Sequence, residues 1–237
     1  MDTYFISIII FCFFITIPVI YVIIPFTVTL FLRRRFKSLL RSSNCVYLTF
    51  DDGPDPDTTP KIVSLLDEFG VKATFFVLGE NVEKFPETAK LISDMGHEIG
   101  HHGFWHTFAW KSGPFKTLSD ISRGIRVTEK YCLPQKTRLY RPPYGKLNIF
   151  SLISIIFKRL NIVFWTVDPK DYNQSSGETV AQLVVENLPN GSVVLLHDGR
   201  RNKDSDSQVT VEGLKYILEY AKKNNIKLST VGELFNS

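Results

Sequence analysis

Cysteine is scarce in this chain of 237 residues, which contains only three. Cys12 lies inside an apolar N-terminal run, so Cys45 and Cys132 are the only two that could pair. A small fold held together by several disulfides is therefore excluded. With 44% hydrophobic residues, the chain is long enough to be stabilised instead by one sizeable hydrophobic core.

A basic surface for nucleic acid is also missing. The chain carries 28 Lys and Arg against 24 Asp and Glu, a net charge of +4. The cluster Arg33, Arg34, Arg35 and Lys37 accounts for that whole surplus, and no stripe of basic residues interleaved with aromatics occurs elsewhere. We therefore expect no nucleic-acid partner.

Charged residues are absent from Tyr4 to Leu32. At about 1.5 Å per residue, a helix of this length exceeds the roughly 30 Å of a bilayer core. The run predicts a single-pass anchor in the cell membrane, within residues 1–41. A cleaved signal peptide is the alternative, but the run is too long for one and lacks both a positive start and a small-residue cleavage site.

Basic residues follow the predicted span, and only Asp2 precedes it. The positive-inside rule therefore favours the cytoplasmic side for the rest of the chain, and the same cluster suits anionic lipids. All of the motifs described below lie beyond Arg41. We thus expect residues 42–237 to form one domain that folds without the first 41 residues.

Beyond the anchor, short apolar runs alternate with segments of helical periodicity. Val46–Phe50 and 73–78 predict buried strands, and a helix from Thr59 to Gly70 lies between them. Further helices are predicted around residues 88–95, 118–131, 149–159, 179–188 and 211–223, with strands at 98–100, 139–140, 162–167, 193–196 and 227–231. About seven such units predict an α/β barrel with a parallel sheet.

Two adjacent carboxylates, Asp51 and Asp52, follow the first predicted strand directly, and Gly53-Pro54 then turns the chain. The carboxyl ends of strands are where α/β barrels place their chemistry. Because neighbouring residues of an extended chain point to opposite sides, one acid can bind a cation while the other acts as a base. A solvated acidic turn is the alternative.

His102 and His106 are four residues apart, a spacing that in a helix would put both on one face. Two imidazoles and one carboxylate from the Asp51-Asp52 turn would form a metal site with positions left open for water and substrate.

Three later motifs also follow predicted strands. They are Arg141-Pro-Pro-Tyr144-Gly, Asp168-Pro-Lys-Asp-Tyr172 and Leu195-Leu-His197-Asp. Each motif alone is compatible with an ordinary turn or a structural histidine.

Taken in order, the motifs TFDDGP, HxxxH, RPPYG, DPKDY and LLHD make the chain resemble the polysaccharide deacetylase family (NodB homology domain, carbohydrate esterase family 4). The resemblance runs from Val46 to about Leu234. It implies a distorted barrel of about seven strands. It also implies an enzyme that removes acetyl groups from N-acetylated sugars with one divalent metal ion, zinc first, with Co²⁺ or Ni²⁺ as alternatives.

The resemblance further implies a role for ten residues. They are the metal ligands Asp52, His102 and His106, the general base Asp51 held by Arg141, the general acid His197 tuned by Asp168, and the substrate-binding residues Tyr144, Tyr172 and Leu195. The backbone N–H of Tyr144 would donate to the oxyanion, and the other two substrate-binding residues would wall the acetyl methyl group.

Two positions depart from the family pattern: Gly103 stands where Ser or Thr is usual, and Tyr172 where Trp is usual. Two alternatives therefore stay open, a deacylase of a non-sugar amide and a catalytically silent carbohydrate-binding protein on the same fold. Membrane sidedness bears on the substrate. The family's extracytoplasmic habit suits a cell-wall glycan, whereas a cytoplasmic domain suits a lipid-linked amino sugar.

Overall fold

The structure is a computed structural model that describes residues 3–188, 191–199 and 207–235. Its centre is a parallel sheet of seven strands: β1 (Cys45–Asp51), β2 (Thr74–Val77), β3 (Glu98–His101), β4 (Leu139–Tyr140), β5 (Asn161–Ile162), β6 (Ser192–His197) and β7 (Lys227–Ser229). The strand order is β5-β4-β3-β2-β1-β6, and β7 pairs with the first residues of β1. The carboxyl ends of all the strands therefore lie at one end of the molecule.

Helices alternate with these strands as predicted. They are α1 (Thr3–Pro18), α2 (Ile24–Arg41), α3 (Thr59–Glu68), α4 (Gly79–Lys84), α5 (Pro86–Asp94), α6 (Pro114–Tyr131), α7 (Ile149–Lys158), α8 (Gly177–Glu186) and α9 (Ser207–Lys223). A π-helical segment, Val19–Ile23, joins α1 to α2. The short α4 was not predicted, because only one of its residues, Val82, is a buried large apolar side chain.

One extended segment closes the sheet into a distorted barrel. The backbone N–H of Val163 donates to the Tyr140 carbonyl, which continues the pairing of β5 with β4. Four residues later the Val167 carbonyl accepts from the N–H of Leu195 in β6, at 2.9 Å. The strand predicted at 162–167 is thus split between two neighbours, and the predicted distorted barrel is confirmed.

The core is built on β1, which is buried along its whole length. Phe50 of β1 stacks on Phe75 of β2 with ring centroids 4.9 Å apart. Strands of a parallel sheet covered on both faces are expected to be apolar throughout, which explains why this stretch has no alternating pattern.

Helix α2 covers part of the same sheet. Phe36 and Leu40 are each 3% exposed and belong to one cluster with Tyr47, Phe164 and Val193. The Phe36 and Phe164 rings meet edge to face at 6.2 Å. The division predicted after residue 41 therefore separates Phe36 and Leu40 from residues with which they share a core cluster, and independent folding of residues 42–237 stays a prediction.

Within the described residues, the helix Phe11–Arg41 is long and apolar enough to cross a membrane. Its exposed apolar side chains include Phe11 at 66%, Phe14 at 76% and Phe31 at 63%. A helix of this kind is either a signal sequence or an anchor.

Candidate active site

Asp51 is the last residue of β1, and its carboxylate is held from behind by Arg141. The Arg141 Nη1 atom donates to Asp51 Oδ1 at 2.6 Å and to Thr49 Oγ1 at 2.8 Å. Arg141 is fully buried, with its guanidinium 4.1 Å from the ring centroid of Phe76. Burial lowers the pKa of Arg141 while the Asp51 carboxylate opposes that shift. The predicted contact between these two residues is present, and it fixes the direction of the Asp51 carboxylate.

Asp52 turns the opposite way, because its backbone is in the left-handed region with φ 69°. Its Oδ1 atom lies 3.4 Å from Nε2 of His102 and 3.3 Å from Nε2 of His106. One ligand atom from each of these three residues lies within 4.8 Å of the others. Burial would raise the pKa of Asp52, but the neighbouring His102 outweighs it and the pKa is lowered. An ionised carboxylate and two imidazoles are the donor set that suits Zn²⁺, so these residues fit the predicted metal.

His102 is oriented by the same loop that supplies Arg141. Its Nδ1 atom lies 2.7 Å from the Arg141 carbonyl oxygen. A carbonyl can only accept, so Nδ1 carries the hydrogen, and Nε2 is the ring nitrogen that faces Asp52. Fixing the ring through its second nitrogen is the usual way in which proteins orient a metal-binding histidine.

The segment between the two histidines is not helical, so the two rings meet for a reason other than helical spacing. His102 follows β3 directly, and His106 has a left-handed φ of 55°. The buried Asp120 of α6 organises the loop by accepting from the N–H groups of Phe104 at 3.2 Å and Trp105 at 2.7 Å, and from the Thr107 hydroxyl at 3.0 Å.

The backbone conformation and close packing of this loop require glycine at position 103. Its φ is +84°, and a Cβ there would run into the Asp120 carboxylate. On the other side, a Cβ at Gly124 of α6 would lie 2.6 Å from the Gly103 backbone. The loop and α6 are thus in backbone contact, and Asp120 supplies polar contacts close to where the family pattern has a hydroxyl.

His197 ends β6 on the far side of the pocket. The carboxylate beside it belongs to Asp171 and not to Asp168, which corrects the prediction. Asp171 Oδ1 lies 2.7 Å from His197 Nδ1, and its Oδ2 accepts from the His197 backbone N–H and from the Thr210 hydroxyl, both at 2.8 Å. Asp168 is exposed and accepts instead from the backbone N–H of Lys170 at 3.0 Å.

Backbone geometry accounts for this exchange of roles. Lys170 is in the left-handed region with φ 53°, and a short 3₁₀ turn begins at Asp171. The turn carries Asp171 inward, where it is 2% exposed. Burial by itself would lower the pKa of His197, but the Asp171 carboxylate outweighs it, with help from Asp52 and Asp51, and raises that pKa to about 9.

These groups meet in a pocket of about 160 Å³ at the carboxyl ends of the strands. Its lining is Asp51, His102, His106, Pro142, Tyr144, Trp165, Asp168, Tyr172, Leu195 and His197. Eight of the ten predicted residues line it, while Arg141 and Asp52 lie at its edge in contact with lining residues.

The aromatic part of the lining is fixed against the two histidines on either side. Tyr144 is in the left-handed region with φ 57°, and its ring lies 4.5 Å from that of His106. The Tyr172 ring stands perpendicular to His197 at 5.0 Å. Together with Leu195, which is 5% exposed, these rings supply apolar surface to the pocket lining.

Comparison with known proteins decides the family. The model of the polysaccharide deacetylase family matches residues 41–152. A peptidoglycan-N-acetylglucosamine deacetylase of Bacillus cereus is 36% identical over 191 residues, covering 80% of this chain and 87% of that protein. This chain belongs to the polysaccharide deacetylase family. A chitooligosaccharide deacetylase of a Bradyrhizobium species is 30% identical and aligns with 87% of this chain and 98% of its own length.

The fold agrees with a solved structure of the family. A crystal structure of a peptidoglycan N-acetylglucosamine deacetylase, in complex with a naphthalenyl N-oxidanyl-benzamide, superimposes with a TM-score of 0.76 at 34% identity. The superposition covers 83% of this chain and 90% of the chain in that crystal structure.

Three residues of this polysaccharide deacetylase site were not predicted from the sequence. Trp165 lines the pocket, Asp171 contacts His197, and Asp120 holds the loop between the metal-binding histidines. Asp171 had a signal, since it lies in the same DPKDY motif as Asp168. Trp165 and Asp120 had none, because neither lies in a motif.

Proposed function

We propose that this protein is a metal-dependent hydrolase that removes N-acetyl groups from amino sugars of a glycan or a lipid-linked sugar. The observation that carries the proposal is the two-sided pocket. Asp51 with Arg141 and the Asp52, His102, His106 group lie on one side, and His197 with Asp171 on the other. The names of the relatives, which act on peptidoglycan or chitooligosaccharides, support the substrate class.

Asp52, His102 and His106 would hold the metal. A bound divalent cation supplies Lewis acidity, which polarises an amide carbonyl and makes water more acidic. Zinc is the best match to one carboxylate and two imidazoles, and Co²⁺ or Ni²⁺ accept the same donors.

Asp51 would act as the general base. Its Oδ1 atom is occupied by Arg141, while its Oδ2 atom lies 3.7 Å from His102 Nε2 and thus faces the metal-binding group. A carboxylate held in this way is aimed at a water in the pocket and takes its proton as the water attacks the acetyl carbon.

His197 would act as the general acid. Its Nδ1–H donates to Asp171, and with a pKa near 9 its Nε2 also carries a proton at neutral pH. As the carbon–nitrogen bond of the tetrahedral intermediate breaks, that proton passes to the leaving nitrogen, and the products are acetate and a free amine. An amine without this proton leaves very poorly.

The remaining roles also stay proposals. The N–H of Tyr144 would donate to the oxyanion, since its left-handed backbone and its ring contact with His106 place it at the pocket edge. Tyr172 and Leu195 would wall the acetyl methyl group. The Gly103 departure is accounted for by its packing on Asp120 and gives no reason to prefer a non-sugar amide.

We also propose that the N-terminal helix is retained as an anchor. Cleavage behind the apolar run would remove Leu32, which packs against the core, and Tyr21, whose hydroxyl donates to the Ser112 carbonyl. The basic residues after the span favour a cytoplasmic catalytic domain.

The test is acetate release from N-acetylglucosamine oligomers by the full chain in detergent, combined with metal analysis. Asp51→Asn should keep one divalent ion per chain and lose a factor on the order of 10² to 10⁴ in kcat, the usual worth of a positioned proton acceptor. Asp52→Asn should weaken metal binding first. Asp57→Asn, an exposed acid of the same turn, is the matched control and should change neither quantity. If Asp51→Asn lost its metal and Asp52→Asn kept it, the two roles would be reversed.

A further inference from the structure

Helix α2 runs antiparallel to the strands, and its two ends mark the two ends of the barrel. Leu40, near its C-terminus, packs with Val193 and Tyr47 near the starts of β6 and β1, and a Cβ at Gly191 would meet the Leu40 carbonyl. Towards its N-terminus, Arg33 Nη2 donates to the carbonyl of Gly145 at 3.4 Å, beside Tyr144. The N-terminal end of α2 therefore lies at the catalytic end of the barrel.

The apolar helix leaves the domain at Tyr21. The Tyr21 hydroxyl donates to the Ser112 carbonyl and accepts from Asn148 Nδ2 at 3.0 Å, and its ring lies 6.0 Å from that of Phe150. Ser112 precedes α6, and Phe150 lies in the first turn of α7. Helix α1 consequently projects from the same end of the molecule that carries the pocket.

Helix lengths set the depth of this end relative to a bilayer. The uncharged run begins after Asp2, and at 1.5 Å per residue a hydrocarbon core about 30 Å thick takes up about 20 helical residues. The core of the bilayer must therefore extend beyond Pro18 to about the level of Tyr21. The segment that Tyr21 contacts then lies in the headgroup region.

That segment, residues 108–116, is called the rim here. It exposes Phe115 at 87%, beside Lys111 and Lys116, and it contains Trp110. Aromatic side chains with lysines are the composition that membrane interfaces favour, and lysines attract anionic headgroups.

The rim continues directly into the metal-binding group through ring contacts. The rings of His106 and Tyr144 lie 4.5 Å apart, those of Tyr144 and Phe108 lie 5.1 Å apart, and those of Phe108 and Trp110 lie 6.2 Å apart. Trp110 in turn contacts Phe26 of α2 at 6.2 Å. The pocket and the rim are thus parts of one continuous face.

We propose that the pocket opens against the membrane surface and that the substrate is an N-acetylated amino sugar carried by a membrane lipid. This deepens the proposed function and rests on it. A sugar attached to a lipid presents its acetamido group at the level of the rim. A glycan strand far from the membrane would have to enter between the rim and the headgroups.

The first test measures depth and does not depend on activity. Single cysteines replace Phe115 or Phe157 in full-length protein with Cys12→Ala, since Cys45 and Cys132 are buried. Both phenylalanines are more than 80% exposed, but Phe157 lies in the last turn of α7, about 12 Å along the helix from its first turn beside Tyr21. Each cysteine carries an environment-sensitive dye, and the protein is placed in liposomes that contain spin-labelled lipid as a quencher. Only the dye at position 115 should be quenched. Quenching at 157, or none at 115, would overturn the orientation.

The second test compares two probes in proteoliposomes: a hexadecyl N-acetylglucosaminide in the bilayer and chitotriose in solution. We expect kcat/KM at least about tenfold higher for the lipid-borne sugar, because both partners are confined to one surface. Phe115→Ser should reduce that advantage without affecting chitotriose, and Phe157→Ser should affect neither. Equal or faster turnover of chitotriose would refute the proposed substrate. Acetate release from neither probe would refute the deacetylase function itself, while the quenching result would still decide the orientation.

Discussion

Replacing Asp171 by Asn should move the high-pH limb of the activity profile to lower pH. Asp171 holds the pKa of His197 near 9 against a burial effect that acts in the opposite direction. An amide of the same shape can still accept a hydrogen bond, but it carries no charge to stabilise the imidazolium. The pKa of His197 should therefore fall to its ordinary value of about 6.5 or below.

The size of the effect follows from the protonated fraction of His197. A general acid works only while it holds its proton, so activity is lost as pH rises through its pKa. At pH 8, a group with a pKa of 9 is about 90% protonated, and one with a pKa of 6.5 is about 3% protonated. We expect Asp171→Asn to lose about 30-fold in activity at pH 8 and much less at pH 6.

The assay is acetate release measured from pH 5.5 to 10, with Asp168→Asn as the matched control. The control removes an acid that also lines the pocket but does not contact His197. Its high-pH limb should stay where it is in the unmodified protein. Thermal unfolding of both variants separates a shifted pKa from a damaged fold. A high-pH limb that moved in Asp168→Asn and not in Asp171→Asn would refute the assignment.

Two further predictions concern the scaffold of the site. Asp120→Ala removes the acceptor of the buried Phe104 N–H and of the partly buried Trp105 N–H. It should lower the free energy of unfolding by about 1–3 kcal/mol, mainly through Phe104, and weaken metal binding through His106, as measured by chemical denaturation and metal titration. Retained metal affinity in a folded Asp120→Ala protein would contradict its role in the loop. Phe36→Ala should lower the free energy of unfolding by about 3–5 kcal/mol, because Phe36 is buried against Phe164. Phe31 is 63% exposed on the same helix, so Phe31→Ala should lower it far less. Equal losses of stability would argue against the packing of α2 on the domain.

Tertiary structure decided which acid serves His197. Asp168 and Asp171 are three residues apart in one motif, and either could reach the end of β6. The left-handed backbone at Lys170 turns Asp171 inward to His197 and leaves Asp168 exposed at the pocket wall. Such a conformation is rare for lysine and depends on surrounding contacts, so the local sequence does not predict it.

The role of the N-terminal helix was also decided in three dimensions. Phe31 and Phe36 are equally apolar, yet one is exposed and the other lies in the barrel core. Hydropathy measures aversion to water and does not distinguish a lipid environment from a protein interior. The sequence could therefore predict a span but not where the span ends and the domain begins.

By itself, the sequence determined the position at strand ends of the residues proposed to be catalytic. Asp51 is the last residue of a buried strand, Gly53 and Pro54 end that strand, and His197 ends another, so covalent order alone assigns these side chains to the carboxyl edge of a parallel sheet. Contacts between segments far apart in the chain were decided only by the tertiary structure. Asp120 under the histidine loop and Arg33 beside Tyr144 are examples, because no periodicity or spacing links residues that meet only when the barrel closes.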